Sequence, residues 1–180
     1  INLVTPTSQV PQILASLSLA IEKWLKIPLV YNTNAYDAKE TLKLLDGIVD
    51  IYMPDAKYAD DKIAIKYSAA PNYFEIMKKS IKEMHRQVGD LIIDKNGIAR
   101  YGLLVRHLVL PNDLAGTEKI MDFIAKEISP NTFVNLMDQY RPCWKAYQYP
   151  PLDRPITFKE YQEARNLAKK AGLKRIYPYE

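Results

Sequence analysis

The chain has 180 residues, 25 Lys and Arg against 21 Asp and Glu (net charge +4), and one cysteine. That length suits a single soluble domain with a real core, and a lone thiol excludes a disulfide framework and any four-thiolate metal site built by this chain alone, which makes a reducing, cytoplasmic setting the expectation. The longest nearly apolar run, residues 13–21, is broken by Ser16 and Ser18 and is too short for a membrane span, and the pI near 9.0 comes from basic residues interleaved with acidic ones, so neither membrane nor nucleic acid is an expected partner.

INLVTPT opens the chain apolar and strand-like, with no initiator Met, basic segment or cleavage site, so it reads as cut from something longer. Residues 2–5 form the first expected strand. A helix over 8–24 follows, with Ile13, Leu14, Leu17, Ile21 and Leu25 on one face. Strands over 28–32 and 49–53 flank a short helix at 37–45, and a second short helix at 60–67 precedes a long one over 71–88 that repeats Phe74, Met77, Ile81, Met84 and Val88. LIIDKNGIAR, residues 91–100, pairs two extended runs around Asn96-Gly97, a hairpin signal inserted before a strand at 103–109. A helix over 116–128, a strand over 133–137 and a late loop with Pro150-Pro151 come next. The terminal helix, 157–171, opens on a Thr157…Glu160 capping box and closes at Gly172. Strand–helix alternation of this kind predicts an α/β domain: a parallel sheet with helical crossovers, open or rolled into part of a barrel, with no internal boundary across 1–180.

Ligand sites of such sheets form beyond the carboxyl ends of the strands. There the sequence places Thr5-Pro6-Thr7, Asn32-Thr33-Asn34, Asp55-Ala56-Lys57 and Asp138-Gln139-Tyr140-Arg141. Asp55 and Lys57 share a side by alternation. Arg106 and His107 are adjacent inside LLVRHLVLP and therefore face opposite ways. A guanidinium among apolar neighbours serves either a structural ion pair or a ligand clamp, whereas His107 reads as a satisfied histidine on the helix-packing face. Asn32, Thr33 and Asn34 suit helix capping as well as ligand contact, His85 reads as solvated, and Cys143 reads as a loop cysteine without an acid–base partner. Six glycines in no phosphate-binding pattern, and the absence of H-E-x-x-H and G-x-S-x-G, remove support for dinucleotide, P-loop, zincin and serine-hydrolase readings.

The stretches NLVTPT, PLVYNT, DGIVDIYMPDAKYAD, GLLVRHLVLP and VNLMDQYRP, which span essentially the whole chain, resemble those of an uncharacterised branch related to pyruvate formate-lyase activating enzyme, in the radical S-adenosylmethionine (SAM) superfamily. The resemblance implies a partial (β/α)6 TIM-like barrel that holds SAM against a [4Fe–4S] cluster. It implies reductive cleavage of SAM to a 5′-deoxyadenosyl radical that abstracts hydrogen from a substrate. By position, Thr5 and Thr7 stand in the place of a G-G-E motif at the methionyl amino group, and Thr33 and Asn34 belong to the T-N strand end. Asp55 and Lys57 match a D-x-K that binds the methionyl amino and carboxylate groups, Arg106 matches an interior Arg near the SAM carboxylate or ribose, and Tyr140 stands where relatives hold a ribose-contacting His. Implied partners are a glycyl-radical enzyme or other protein substrate and a reductant such as flavodoxin or ferredoxin.

The cluster-binding C-x-x-x-C-x-x-C loop of those relatives lies upstream of this segment, and Ala35 replaces the Gly expected after T-N. The chain accordingly reads as an N-terminally truncated fragment, lacking the first strand and cluster loop and inactive as given. Two other readings remain: a Schiff-base, class I aldolase-like barrel using Lys57 with Asp55 as proton shuttle, and a non-catalytic barrel remnant.

Overall fold

In the computed structural model, which describes residues 1–179, those residues form seven strands: β1 (Asn2–Val4), β2 (Val30–Thr33), β3 (Ile51–Pro54), β4 (Ile92–Ile93), β5 (Ala99–Leu108), β6 (Phe133–Met137) and β7 (Arg175–Tyr177). Six lie parallel in the order β1-β2-β3-β5-β6-β7, and β4 pairs antiparallel with β5. The crossovers carry α1 (Val10–Glu22), α2 (Lys39–Lys43), α3 (Asp61–Ser68), α4 (Tyr73–Val88), α5 (Thr117–Phe123) and α6 (Phe158–Lys170). Right-handed crossovers between strands laid down in chain order all fall on one side, so the helices coat one face and the other curls inward. The result is the expected partial barrel.

Period-two alternation divides the strands between these faces. Tyr31, Tyr52, Leu103, Val105, Val134 and Leu136 point outward into one core with Leu42, Met77, Ile81, Met84, Ile120 and Ile124. Asn32, Met53, Arg106 and Asn135 point to the concave side. Its lower, N-terminal half is filled by Ile51, Leu91 and Phe133 with Val30, Ala99 and Leu104, so only the end carrying the strand C-termini stays open.

The hairpin that delivers Leu91 forms where Asn-Gly predicts it. Asp94 accepts the backbone N–H groups of Asn96 and Ile98 and the Nε–H of Arg100, which together hold its carboxyl below the usual range. Its second arm is not a separate element: Ala99 already begins β5. Two further elements differ from the sequence reading. The helix expected over 116–128 ends as α5 and continues in a single wider π turn, closed by the Ser129 N–H on the Ile124 carbonyl at 2.9 Å and tied to α4 by the Glu127–Lys82 ion pair at 2.6 Å. β7 was not legible, because its three residues sit among charged and proline positions and acquire strand geometry only by pairing with β6. The capping box of α6 is present, and its Glu160 also binds Arg154 and the Asn112 N–H, which hold the carboxyl far below its ordinary range, Arg154 foremost.

Gly102 lets β5 pass the root of the hairpin. Its φ is +114°, and a Cβ there would stand 2.5 Å from the Asp90 carbonyl oxygen and 2.6 Å from Leu91 Cα. Gly102→Ala is expected to lower stability by about 2–3 kcal/mol through backbone strain and this collision. Urea unfolding measures it, and an unchanged midpoint would show that β5 is not held against residues 90–91.

Candidate functional site

Three strands converge on one carboxylate. Asp55 follows β3 and stands opposite Arg106 of β5 in register, where the Ala56 N–H donates to the Arg106 carbonyl at 2.8 Å. Arg106 Nε donates to Asp55 Oδ1 at 2.6 Å, and its Nη2 reaches Asn32 Oδ1 on β2 at 2.8 Å. Lys57 Nζ closes on the other oxygen, Oδ2, at 2.8 Å. Exposure grades outward: the Asp55 side chain is 16% exposed, Arg106 23% and Lys57 39%. An anion held between two cations is thus presented to the open end of the concave face, with one cation on the rim.

The backbone carrying these groups is fixed from behind. Tyr73, at the start of α4, has its hydroxyl between the carbonyls of Asn34 and Asp55 (2.8 and 2.9 Å) while accepting the Lys57 N–H at 3.0 Å, so one phenol joins the loops after β2 and β3. Burial pushes its ionisation far above the ordinary tyrosine range. Tyr36 stacks on this ring and Tyr58 meets it edge-on. From the helix side, His107 is fully buried: its Nδ1 lies 2.7 Å from the Ala56 carbonyl and its Nε2 3.0 Å from Thr117 Oγ1. The carbonyl requires a proton on Nδ1, so Nε2 accepts from Thr117. His107 is therefore the packing histidine expected, and it also pins the residue between Asp55 and Lys57.

Of the residues singled out in the sequence, the structure brings Asp55, Lys57 and Arg106 together and takes others elsewhere. Thr7 and Thr33 turn to the helix side and give their hydroxyls to Asp37, at 2.7 and 2.6 Å, beside Tyr31 at 3.0 Å. Thr33, 2% exposed, holds a loop there rather than facing the open cleft. Asn34 accepts the Tyr36 N–H and shapes the turn, and Thr5 is exposed in a left-handed conformation, φ +53°. Tyr140 donates to the Leu152 carbonyl at 2.6 Å, on the wall of a cleft of ≈ 410 Å³ that adjoins Lys57 and has exposed Cys143 on its lining. His85 is not solvated as expected: it is half-buried, 3.1 Å from Asp90, which also accepts from Ser129. The sequence reading missed Asn32 as a partner of Arg106, Tyr73 as a loop clamp and Asp37 as a hydroxyl hub. The one available signal was alternation, which aligns Asn32 with the concave face.

No family model matches the chain. A protein of Methanocaldococcus jannaschii described as uncharacterized is 39% identical over 173 residues, covering 96% of this chain but 46% of that protein, so the chain spans about half the length of the curated relative it matches. Among solved structures, a domain of pyruvate-formate lyase-activating enzyme from Bacteroides vulgatus aligns with a TM-score of 0.68 over 98% of this chain and 97% of that one, at 15% identity. The chain has the fold of that activating-enzyme domain.

An iron–sulfur cluster does not fit the residues of this chain. One thiol is present, and among the described residues no three His, Cys, Asp or Glu side chains are grouped to hold a metal ion. Nor is any helix among the described residues long and apolar enough to cross a membrane.

Burial depresses the proton affinity of His107 below its ordinary value of 6.5. Below that pH the unfolded chain binds a proton that the fold refuses, so the stability from the neutral imidazole is complete above about pH 6.5 and is lost as pH falls, by up to about 1.4 kcal/mol per unit. Unfolding measured between pH 7 and 5 should show a shallower slope in His107→Asn than in the parent. Identical slopes would remove His107 as the buried neutral group.

Proposed function

We propose that this chain is the SAM-binding portion of a radical SAM enzyme akin to the activating enzymes of glycyl-radical enzymes. The observation that carries this reading is the Arg106–Asp55–Lys57 cluster at the open strand ends, set in the fold of an activating-enzyme domain. A zwitterionic amino-acid head needs an acceptor for its ammonium and a cation for its carboxylate. Each Asp55 oxygen receives one protein cation and keeps lone-pair capacity for another donor, and Lys57 commits one of its three N–H bonds to Asp55. The cluster therefore fits the methionyl end of SAM, with Asp55 on the ammonium and Lys57 on the carboxylate.

Bound SAM would supply a 5′-deoxyadenosyl radical once an electron reaches it, and the cluster delivering that electron would need at least three thiolates from outside this chain. What the chain contributes is a rigid seat. Arg106 fixes one Asp55 oxygen, Asn32 holds the guanidinium from β2, and Tyr73 and His107 stop the intervening loop from yielding. A Schiff-base lysine, by contrast, needs apolar surroundings that desolvate its amine. Lys57 stands in an ion pair on the rim, so the geometry gives that reading no support.

Lys57→Met is the informative substitution, because Asp55 keeps Arg106 and no buried charge is stranded. Calorimetric titration of SAM should show binding that weakens about tenfold in Lys57→Met with the fold unchanged by circular dichroism. If neither this chain nor a longer one carrying a C-x-x-x-C-x-x-C loop binds SAM, the proposal is wrong.

A further inference from the structure

The cleft beside Lys57 has a one-signed electrostatic character, and two of its three lysines lie outside the seat proposed for the SAM head group. Three lysines line it, Lys57, Lys66 and Lys145, and no Asp or Glu does. Lys57 is committed to Asp55. Lys66 and Lys145 have no carboxylate within ion-pair distance among the described residues; each ammonium instead lies over a ring, Lys66 5.0 Å from the centroid of Tyr67 and Lys145 4.5 Å from that of Trp144. A cation parked on an aromatic face is held weakly and can swing to an anion without breaking an ion pair. A concave site lined by one sign of charge also concentrates the opposite sign.

The rest of the lining is flat and apolar. Four tyrosines and Trp144 form the walls, and Leu108, Leu110 and Leu152 supply aliphatic surface. Tyr67 and Tyr149 stand edge to face with centroids 6.1 Å apart. The hydroxyls of Tyr140 and Tyr58 are spent on the Leu152 carbonyl and on Ser68 Oγ, so those two rings offer faces more than donors. At ≈ 410 Å³ the space lies in the range of small-molecule sites, about 300–1000 Å³.

We propose that this cleft binds a small anionic molecule with a planar unsaturated body, its carboxylate or phosphate taken by Lys66 and Lys145 and its flat part lying on the aromatic walls. Where the cleft meets Lys57 it adjoins the proposed seat of SAM. The anion so bound would lie beside that seat as a separate small ligand. Its binding to the cleft requires neither SAM nor an iron–sulfur cluster.

Three naphthalene probes separate the contributions in calorimetric titrations: 1-naphthyl phosphate, 1-naphthoate and neutral 1-naphthol. At low ionic strength at least one anion should bind about tenfold more tightly than 1-naphthol, as expected of a charge-assisted contact, and the stronger of the two anions identifies phosphate or carboxylate as the preferred group. The double variant Lys66→Gln/Lys145→Gln, both on the surface and outside the Asp55 cluster, should lose that preference while keeping its circular dichroism spectrum and its response to SAM. Equal affinity for the three probes, or a preference that survives the double substitution, would overturn the proposal. Anion binding with no SAM binding, either by this chain or by a longer one carrying a C-x-x-x-C-x-x-C loop, would instead leave the cleft standing and reject the role assigned to the Asp55 cluster.

Discussion

The contact on which the site depends is the bond from Arg106 to Asp55, and it is a consequence of strand register. Asp55 and Arg106 face each other because β3 and β5 pair with Ile51 opposite Gly102 and Tyr52 opposite Leu103. A slip of one residue would carry Arg106 into the helix-packed core and His107 onto the concave face. The register is held by Leu103 and Val105, which must stay among the helices, and by Gly102, where β5 runs against the hairpin root. Packing thus decides which residue of the Arg-His pair meets a ligand.

A half-buried ion pair of this kind contributes little net stability, since desolvation offsets most of the attraction. Its value is positional. Asp55 lies at the end of a strand where a loop could wander, and two cations from different chain segments fix where its oxygens point. Behind it runs a layer of satisfied polar groups: the Tyr73 hydroxyl under the β2 and β3 loops, His107 under Ala56, and Asp37 gathering Thr7, Tyr31 and Thr33. Each would be costly to bury alone, and each is tolerated because its partners are complete. The loops that carry chemistry are in this way tied to the helical layer rather than left to solvent.

The concave face is divided along the strand direction. The hairpin and the Ile51–Leu91–Phe133 cluster plug its lower half, which leaves chemistry room only at the strand C-termini. There the charged seat and the aromatic cleft share Lys57, one chemically suited to a zwitterion and the other to an anion with a flat body. The domain of pyruvate-formate lyase-activating enzyme shares the fold at 15% identity, a level at which residues at strand ends have to be argued from their own contacts.

Much of the architecture was legible because it rests on local signals. Alternating apolar runs, the Asn96-Gly97 turn and the Thr157…Glu160 box each specify geometry within a few residues, and all three are present. Asp55 and Lys57 were legible for the same reason, as polar groups just after a predicted strand, and Arg106 as a guanidinium among apolar residues inside one. The fates of Thr7 and Thr33, the clamp by Tyr73, the pairing of His85 and the existence of β7 were not, because each depends on a partner 4 to 42 positions away whose approach is set by how helices pack on the sheet. The sequence by itself determined the period of each element and which residue types stand where strands stop. Only the tertiary structure decided which of those side chains share a space, since a hydroxyl or a lysine next to a strand end goes to whichever buried carboxylate, ring or open cleft the folded chain sets beside it.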